Sequence, residues 1–265
     1  MDQPTDGLQR DSWTRLRSFT GARIALGRAG SSLPTRAHLD FQLAHARAKD
    51  AVRRPLDMDA LEARLQETGV ATLRLDTLAG SRSEYLQYPD RGRQLAPRSR
   101  ALLQAAVAGT AADIALVVAD GLSSIAIQRH AVPFLKAFMP LSARRGYTCS
   151  PVALVRQGRV AVADPVAEAM GCRLAVILIG ERPGLSSPDS MGIYVTYAPH
   201  SGCTDADRNC ISNIHGRGLS CEQAAARLIY LVTEADRRGV SGVALKDASP
   251  QDVPLQGPAA DVLPD

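Results

Sequence analysis

Cys210 is the first residue to consider for chemistry. It lies in the polar run Thr204-Asp205-Ala206-Asp207-Arg208-Asn209-Cys210-Ile211-Ser212-Asn213, between His200 and His215. A thiol acts as a nucleophile when a base or a cation lowers its pKa, and a lone cysteine in polar company is more simply a small, semi-buried side chain. Asp205 and Asp207 begin like a calcium loop, but no glycine or closing glutamate follows at EF-hand spacing. The five histidines (His38, His45, His130, His200, His215) never fall at H-x-x-x-H spacing. The five cysteines (Cys149, Cys172, Cys203, Cys210, Cys221) never form C-x-x-C. A zinc set is therefore not legible, and the odd cysteine count argues against a disulfide framework. The chain also lacks a G-x-S-x-G elbow, a phosphate-loop lysine and a dinucleotide fingerprint. His130 falls on a long helical stretch, where an interfacial histidine is the expected role. No self-sufficient catalytic set can be assembled.

Two carboxylates sit where open α/β sheets bind ligands, just past the carboxyl ends of strands. Ile114–Ala119 is an uninterrupted apolar run followed by Asp120-Gly121-Leu122-Ser123, and Leu174–Ile179 is another, followed by Gly180-Glu181-Arg182-Pro183-Gly184-Leu185. Continuous apolar runs of this length read as strands buried on both faces. Gly180 and Gly184 permit close backbone approach, Pro183 stiffens the loop, and Glu181 is placed to accept hydrogen bonds from amides or ribose hydroxyls. The simpler alternative is that Glu181 pairs with a nearby arginine and the glycines only make the turn.

The remaining elements follow from periodicity. Residues 6–20 and 36–53 read as helices, the second with Leu39, Leu43 and Ala46 at helical spacing; residues 58–68 form another, from an Asp57 cap to a Gly69 stop. Residues 81–98 read as a structured connector, 98–108 as a helix, and the stretch after Ser123 as a helix to about 139. Val152–Val155 and Arg159–Ala163 flank Gln157-Gly158 and are expected to pair as a hairpin. A helix over 164–170, a one-sided strand over Ile193–Tyr197 and a possible strand at Val240–Leu245 complete the list. Between the last two, a helix over 220–238 carries a Ser220/Gln223 capping box, an apolar face of Ala224, Leu228, Leu231 and Ala235, and a Gly239 stop. The expected fold is α/β: a mainly helical N-terminal region (1–95), then a Rossmann-like domain with a mostly parallel sheet (96–247), then a proline-rich disordered tail (248–265).

Composition narrows the class. With 265 residues, 45% hydrophobic and 22% charged, the chain can build a sizeable core. No apolar run reaches the ~18–20 residues of a membrane span, and the first residues do not resemble a secretory signal, so the cytoplasm is the expected compartment. The net charge is +4, and all but three of the 31 basic residues are arginine. Arginine's preference for phosphates and carboxylates keeps an anionic ligand open, and the spread of these residues along the chain without long runs gives a nucleic-acid track little support.

Five segments occur in order: Gly27-Arg28-Ala29-Gly30, Asp120-Gly121-Leu122-Ser123, Gly158-Arg159-Val160, Gly180-Glu181-Arg182-Pro183-Gly184-Leu185 and Cys210-Ile211-Ser212-Asn213-Ile214. Together they resemble the small (light) subunit of adenosylcobalamin-dependent ethanolamine ammonia-lyase, over about residues 13–246. The resemblance implies a large TIM-barrel partner subunit that holds ethanolamine. It also implies adenosylcobalamin between the subunits, with its base still bound to cobalt, and radical deamination to acetaldehyde and ammonia. Cofactor contacts are implied at Val160, Glu181 and Cys210, which makes Cys210 a contact and not a nucleophile. No histidine here has an aspartate two residues before it, so the D-x-H-x-x-G pattern of base-displacing cobalamin domains is missing. Some members of the family are packaged in a bacterial microcompartment through a longer N-terminal extension, and little precedes the first helix here. The rival readings are a non-catalytic α/β module for another nucleotide-like ligand and a stand-alone cysteine hydrolase.

Overall fold

A computed structural model describes residues 8–106 and 112–249. The chain begins with a two-residue strand, β1 (Leu8–Gln9), antiparallel to β2 (Arg28–Ala29). Between them Ser12–Ser18 forms a 3-10 helix, tighter than the regular helix expected over 6–20, capped by the Asp11 carboxylate on the Trp13 amide at 2.9 Å. Helices α1 (Thr35–Arg53) and α2 (Met58–Gln66) follow, the latter capped by Asp57. The α1 face differs from the expected one. Leu39, Leu43 and Ala46 are exposed, and Ala44, Ala48 and Ala51 pack inward.

Strand β3 (Thr72–Asp76) then joins the main sheet, within a region that reads as helical in the sequence. The connector over 81–98 contains a short helix, α3 (Arg82–Gln87), a 3-10 turn (Pro89–Arg93) and the start of α4 (Pro97–Ala106). Beyond it come β4 (Ile114–Ala119), α5 (Ser124–Arg144), β5 (Val152–Arg156), α6 (Ala163–Met170) and β6 (Leu174–Gly180). Antiparallel strands β7 (Met191–Tyr197) and β8 (Arg208–Ile214), and helix α7 (Cys221–Arg238), follow. The α7 cap and stop match the sequence reading: Ser220 and Gln223 form a capping box, and Gly239 closes the helix at φ 68°. Most of the proline-rich tail lies outside the described residues.

The six-stranded sheet runs β3-β5-β4-β6-β7-β8, parallel through β6 and antiparallel after it. The expected hairpin does not form. Val152–Arg156 is inserted between β3 and β4 with parallel neighbours on both edges, leaving no edge for Arg159–Ala163, where Val160–Val162 winds into a 3-10 turn. The 240–245 segment likewise forms a 3-10 turn (Gly242–Ala244) and not a strand. Every residue of β4 and β6 is buried. One face of the sheet packs under α2, α5 and α7 in a cluster that includes Leu61, Phe134, Phe138, Leu178 and Leu228. The other packs under α4 and α6 around Leu103, Val117, Val166 and Ile177.

Candidate functional site

Strand register puts side chains in rows across the sheet, since alternate residues share a face. The row under α4 and α6 runs Leu73, Ala153, Val117, Ile177, Tyr194, Cys210, each residue directly opposite the next. Along this row the cover thins. The first four side chains border or fill the apolar cluster, Tyr194 is half-buried, and Cys210 and Ser212 on β8 are exposed. The polar run is therefore an edge strand from Arg208 onward, with Cys210 and Ser212 on this open stretch.

Glu181 closes the carboxyl end of the same face. Its carboxylate accepts from the Ser190 hydroxyl at 2.6 Å and from the Asn213 amide at 3.4 Å, tying the ends of β6, β7 and β8 together. It lies directly over Gly192, where an added Cβ would stand 2.8 Å from a carboxylate oxygen. Two hydrogen bonds leave lone pairs on both oxygens, so this half-buried carboxylate can accept further donors. Its charge faces Tyr194 and Cys210. Burial pushes the phenol up, partial desolvation of the sulfur against the sheet pushes up the thiol although the residue as a whole is exposed, and the Glu181 charge raises both further. Cys210 is thus held as a neutral thiol beside a phenol. No cysteine or serine side chain is hydrogen-bonded to a histidine ring among the described residues, and His200 and His215 bond backbone groups of Ser201 and Arg217.

Val160 opens the turn after β5 and packs, half-buried, on the edge of the apolar cluster that Tyr194 also borders. The residues before it explain its placement. Gly158 passes so close to β4 that an added Cβ would lie 2.8 Å from the Ala119 methyl. Arg159 stacks on the Tyr85 ring at 4.2 Å and donates to the Tyr85 carbonyl at 3.2 Å. Val160, Glu181 and Cys210 therefore share one face and its carboxyl rim. Tyr194 and Ser190 belong to the same constellation and were not singled out from sequence; only the β7–β8 register brings Tyr194 opposite Cys210.

Asp120, the other strand-end acid, is a brace. It is 1% exposed, accepts from the Gly158 amide at 3.1 Å and faces the Arg82 guanidinium at 3.3 Å. Burial outweighs these partners and pushes its carboxyl up to about 6. The folded state therefore holds this proton more tightly than the unfolded chain, where the pKa is ~3.9. Its contribution to stability is complete below pH ~4 and is lost as pH rises through 6. Asp120→Asn removes this dependence. Urea unfolding at pH 4.5 and 7.5 should show the wild type losing about 2 kcal/mol relative to the variant; parallel curves would contradict the assignment.

Among the described residues no group of three or more His, Cys, Asp or Glu side chains could hold a metal ion, and no helix is long and apolar enough to cross a membrane. By class the molecule is an α/β domain built on a six-stranded, mostly parallel sheet, with a fixed carboxylate, a thiol and a phenol on its open face. The sequence profile of the ethanolamine ammonia-lyase light chain (EutC) family matches residues 10–246. The ethanolamine ammonia-lyase small subunit of Ralstonia nicotianae is 56% identical over 250 residues, 94% of this chain and 92% of that protein. That of Xanthomonas campestris pv. campestris is 54% identical over 250 residues, with coverages of 94% and 91%. The Pseudomonas putida small subunit is 57% identical over 239 residues, with coverages of 89% and 87%. The chain belongs to the ethanolamine ammonia-lyase light chain family.

Proposed function

We propose that the chain binds adenosylcobalamin on the open face at Val160, Glu181 and Cys210. In this reading it acts only in complex with a large subunit that holds ethanolamine and completes its deamination to acetaldehyde and ammonia. The observation that carries the reading is the Glu181 carboxylate, fixed over Gly192 with acceptor capacity to spare, on a face where the chain's own helices leave Cys210 uncovered. The donor set fits the cofactor. Corrin amide side chains and ribose hydroxyls need an acceptor, which Glu181 provides, while Val160 and the neutral thiol of Cys210 give apolar and polarizable contact. When bound, the cofactor supplies an adenosyl radical by homolysis of its cobalt–carbon bond. This chain's residues bind and orient it; none is placed to move a proton on the substrate. The cytoplasm is the proposed compartment, inside or outside a microcompartment.

Reconstitution tests the division of labour. Purified chain with adenosylcobalamin and ethanolamine should form no acetaldehyde, and adding the large subunit should restore turnover. Turnover by the rigorously purified chain alone, or a large subunit equally active without it, would refute the proposal.

A further inference from the structure

Residues 8–33 form ordered turns and a strand pair, yet not one of them is buried. Helix α1 continues this arrangement, packing inward with three alanines and turning its larger apolar side chains outward. Of the fourteen exposed large hydrophobic residues among the described residues, nine lie between Leu8 and Leu43, including Trp13, Phe19, Leu33, Leu39, Phe41 and Leu43. Trp13 and Phe19 are 66% and 69% exposed. Scattered exposed apolar residues are ordinary, but this concentration in one arm marks an interaction surface.

The charge of the arm specifies the partner's chemistry. Between Leu8 and Arg54, ten basic side chains stand against three acidic ones. A groove of about 960 Å3 between the arm, α1 and the Leu185–Pro188 loop is walled by Arg10, Arg17, Arg23, Arg36, Arg47 and Arg217. Asp11, one of two acids there, already caps the Ser12–Ser18 turn. The surface also reaches the candidate site. Arg23 donates to the Leu185 carbonyl at 3.5 Å, the Ser186 hydroxyl donates to the Gly21 carbonyl at 3.4 Å, and this loop descends directly from Glu181.

We propose that the arm and the outer face of α1 dock the large subunit, on a patch of that subunit that is apolar and acidic. The inference rests on the functional reading above and adds where the partner sits. Purified large subunit is titrated with the full chain, and binding is followed by interferometry without cofactor. Trp13→Ser/Phe19→Ser/Phe41→Ser should weaken binding ~100-fold or more, as loss of buried aromatic anchors does. Arg36→Glu/Arg47→Glu should weaken it ~10-fold and flatten the salt dependence of association. Val243→Ser, at an exposed apolar residue elsewhere, should change nothing. Melting temperatures should stay at the wild-type value, since the replaced side chains are exposed; if the triple variant melts early, the charge-reversal pair decides. Variants that bind within ~3-fold of a binding-competent wild type overturn the docking proposal alone. A wild type that does not bind the large subunit overturns the functional reading and the proposal with it.

Discussion

Asp164→Ala is expected to destabilise the chain by about 3–5 kcal/mol, a large part of the ~5–15 kcal/mol that holds a domain folded. Asp164 on α6 and Arg208 at the start of β8 form a two-point ion pair at 2.6 and 2.7 Å, with both side chains at most 3% exposed. The guanidinium also donates to Thr196 Oγ1 at 3.1 Å and to the Cys203 carbonyl at 3.0 Å. Removing the carboxylate leaves a buried charge with two neutral acceptors and, at 3.9 Å from Nε, only the fully exposed Asp205 carboxylate to offset it, which is costlier than having no pair at all. The double variant Asp164→Leu/Arg208→Met should recover most of the loss, because an apolar pair of similar volume needs no compensation. Urea midpoints of the singles and the double make this a double-mutant cycle. A single-variant cost below ~1 kcal/mol would contradict the burial. Because Arg208 lies two residues before Cys210 on the same face of β8, the pair also fixes the strand that carries the thiol.

The parts of the fold legible in sequence are those where local pattern and tertiary role coincide. Ile114–Ala119 and Leu174–Ile179 are apolar throughout because helices cover both their faces, and α7 declares its start, face and stop within its own residues. The hairpin expected at Gln157-Gly158 misled because its turn residues serve another purpose. Gln157 adopts φ 58° and Gly158 presses on Ala119, so the chain leaves β5 over the top of the sheet and delivers Val160 to the rim. Strand β3 was hidden by its shortness and its edge position. Its outward Arg74 is held by Glu62 and by Asp59, neither of which periodicity can assign to it. Helix α1 inverts the usual rule, with alanines inside and leucines outside, and a periodicity argument necessarily chooses the larger side chains.

The site was legible only in pieces. The glutamate after a buried strand and between glycines stands half-buried at the strand end with acceptor capacity left, whereas Asp120, the acid that follows β4, is a buried brace. What separates the two acids is their surroundings. Asp120 ends between β5 and β6, where Arg82 and the Gly158 amide enclose it, and Glu181 ends over Gly192 at the margin of the antiparallel strands. The neighbours of Cys210 are set by strand register, which pairs residues sixteen apart and leaves no trace in local spacing.

Glu181 carries the central claim, that this chain contributes cofactor contacts and no proton transfer. A hydrogen bond to a charged acceptor is worth roughly 1.5–3 kcal/mol. Glu181→Gln keeps the shape and one acceptor oxygen, so affinity for adenosylcobalamin should fall ~10-fold to ~100-fold. Glu181→Leu should lose more, because it leaves cofactor donors, the Ser190 hydroxyl and the Asn213 amide without their acceptor. A general acid or base would behave differently, losing ~100-fold or more in kcat that added cofactor cannot restore. The deciding measurement is kcat of the reconstituted wild-type and Glu181→Gln complexes across an adenosylcobalamin titration. The account predicts a right-shifted titration for the variant that climbs to near wild-type kcat at saturation. An unshifted titration, or a deficit of ~100-fold that persists at saturation, would contradict it.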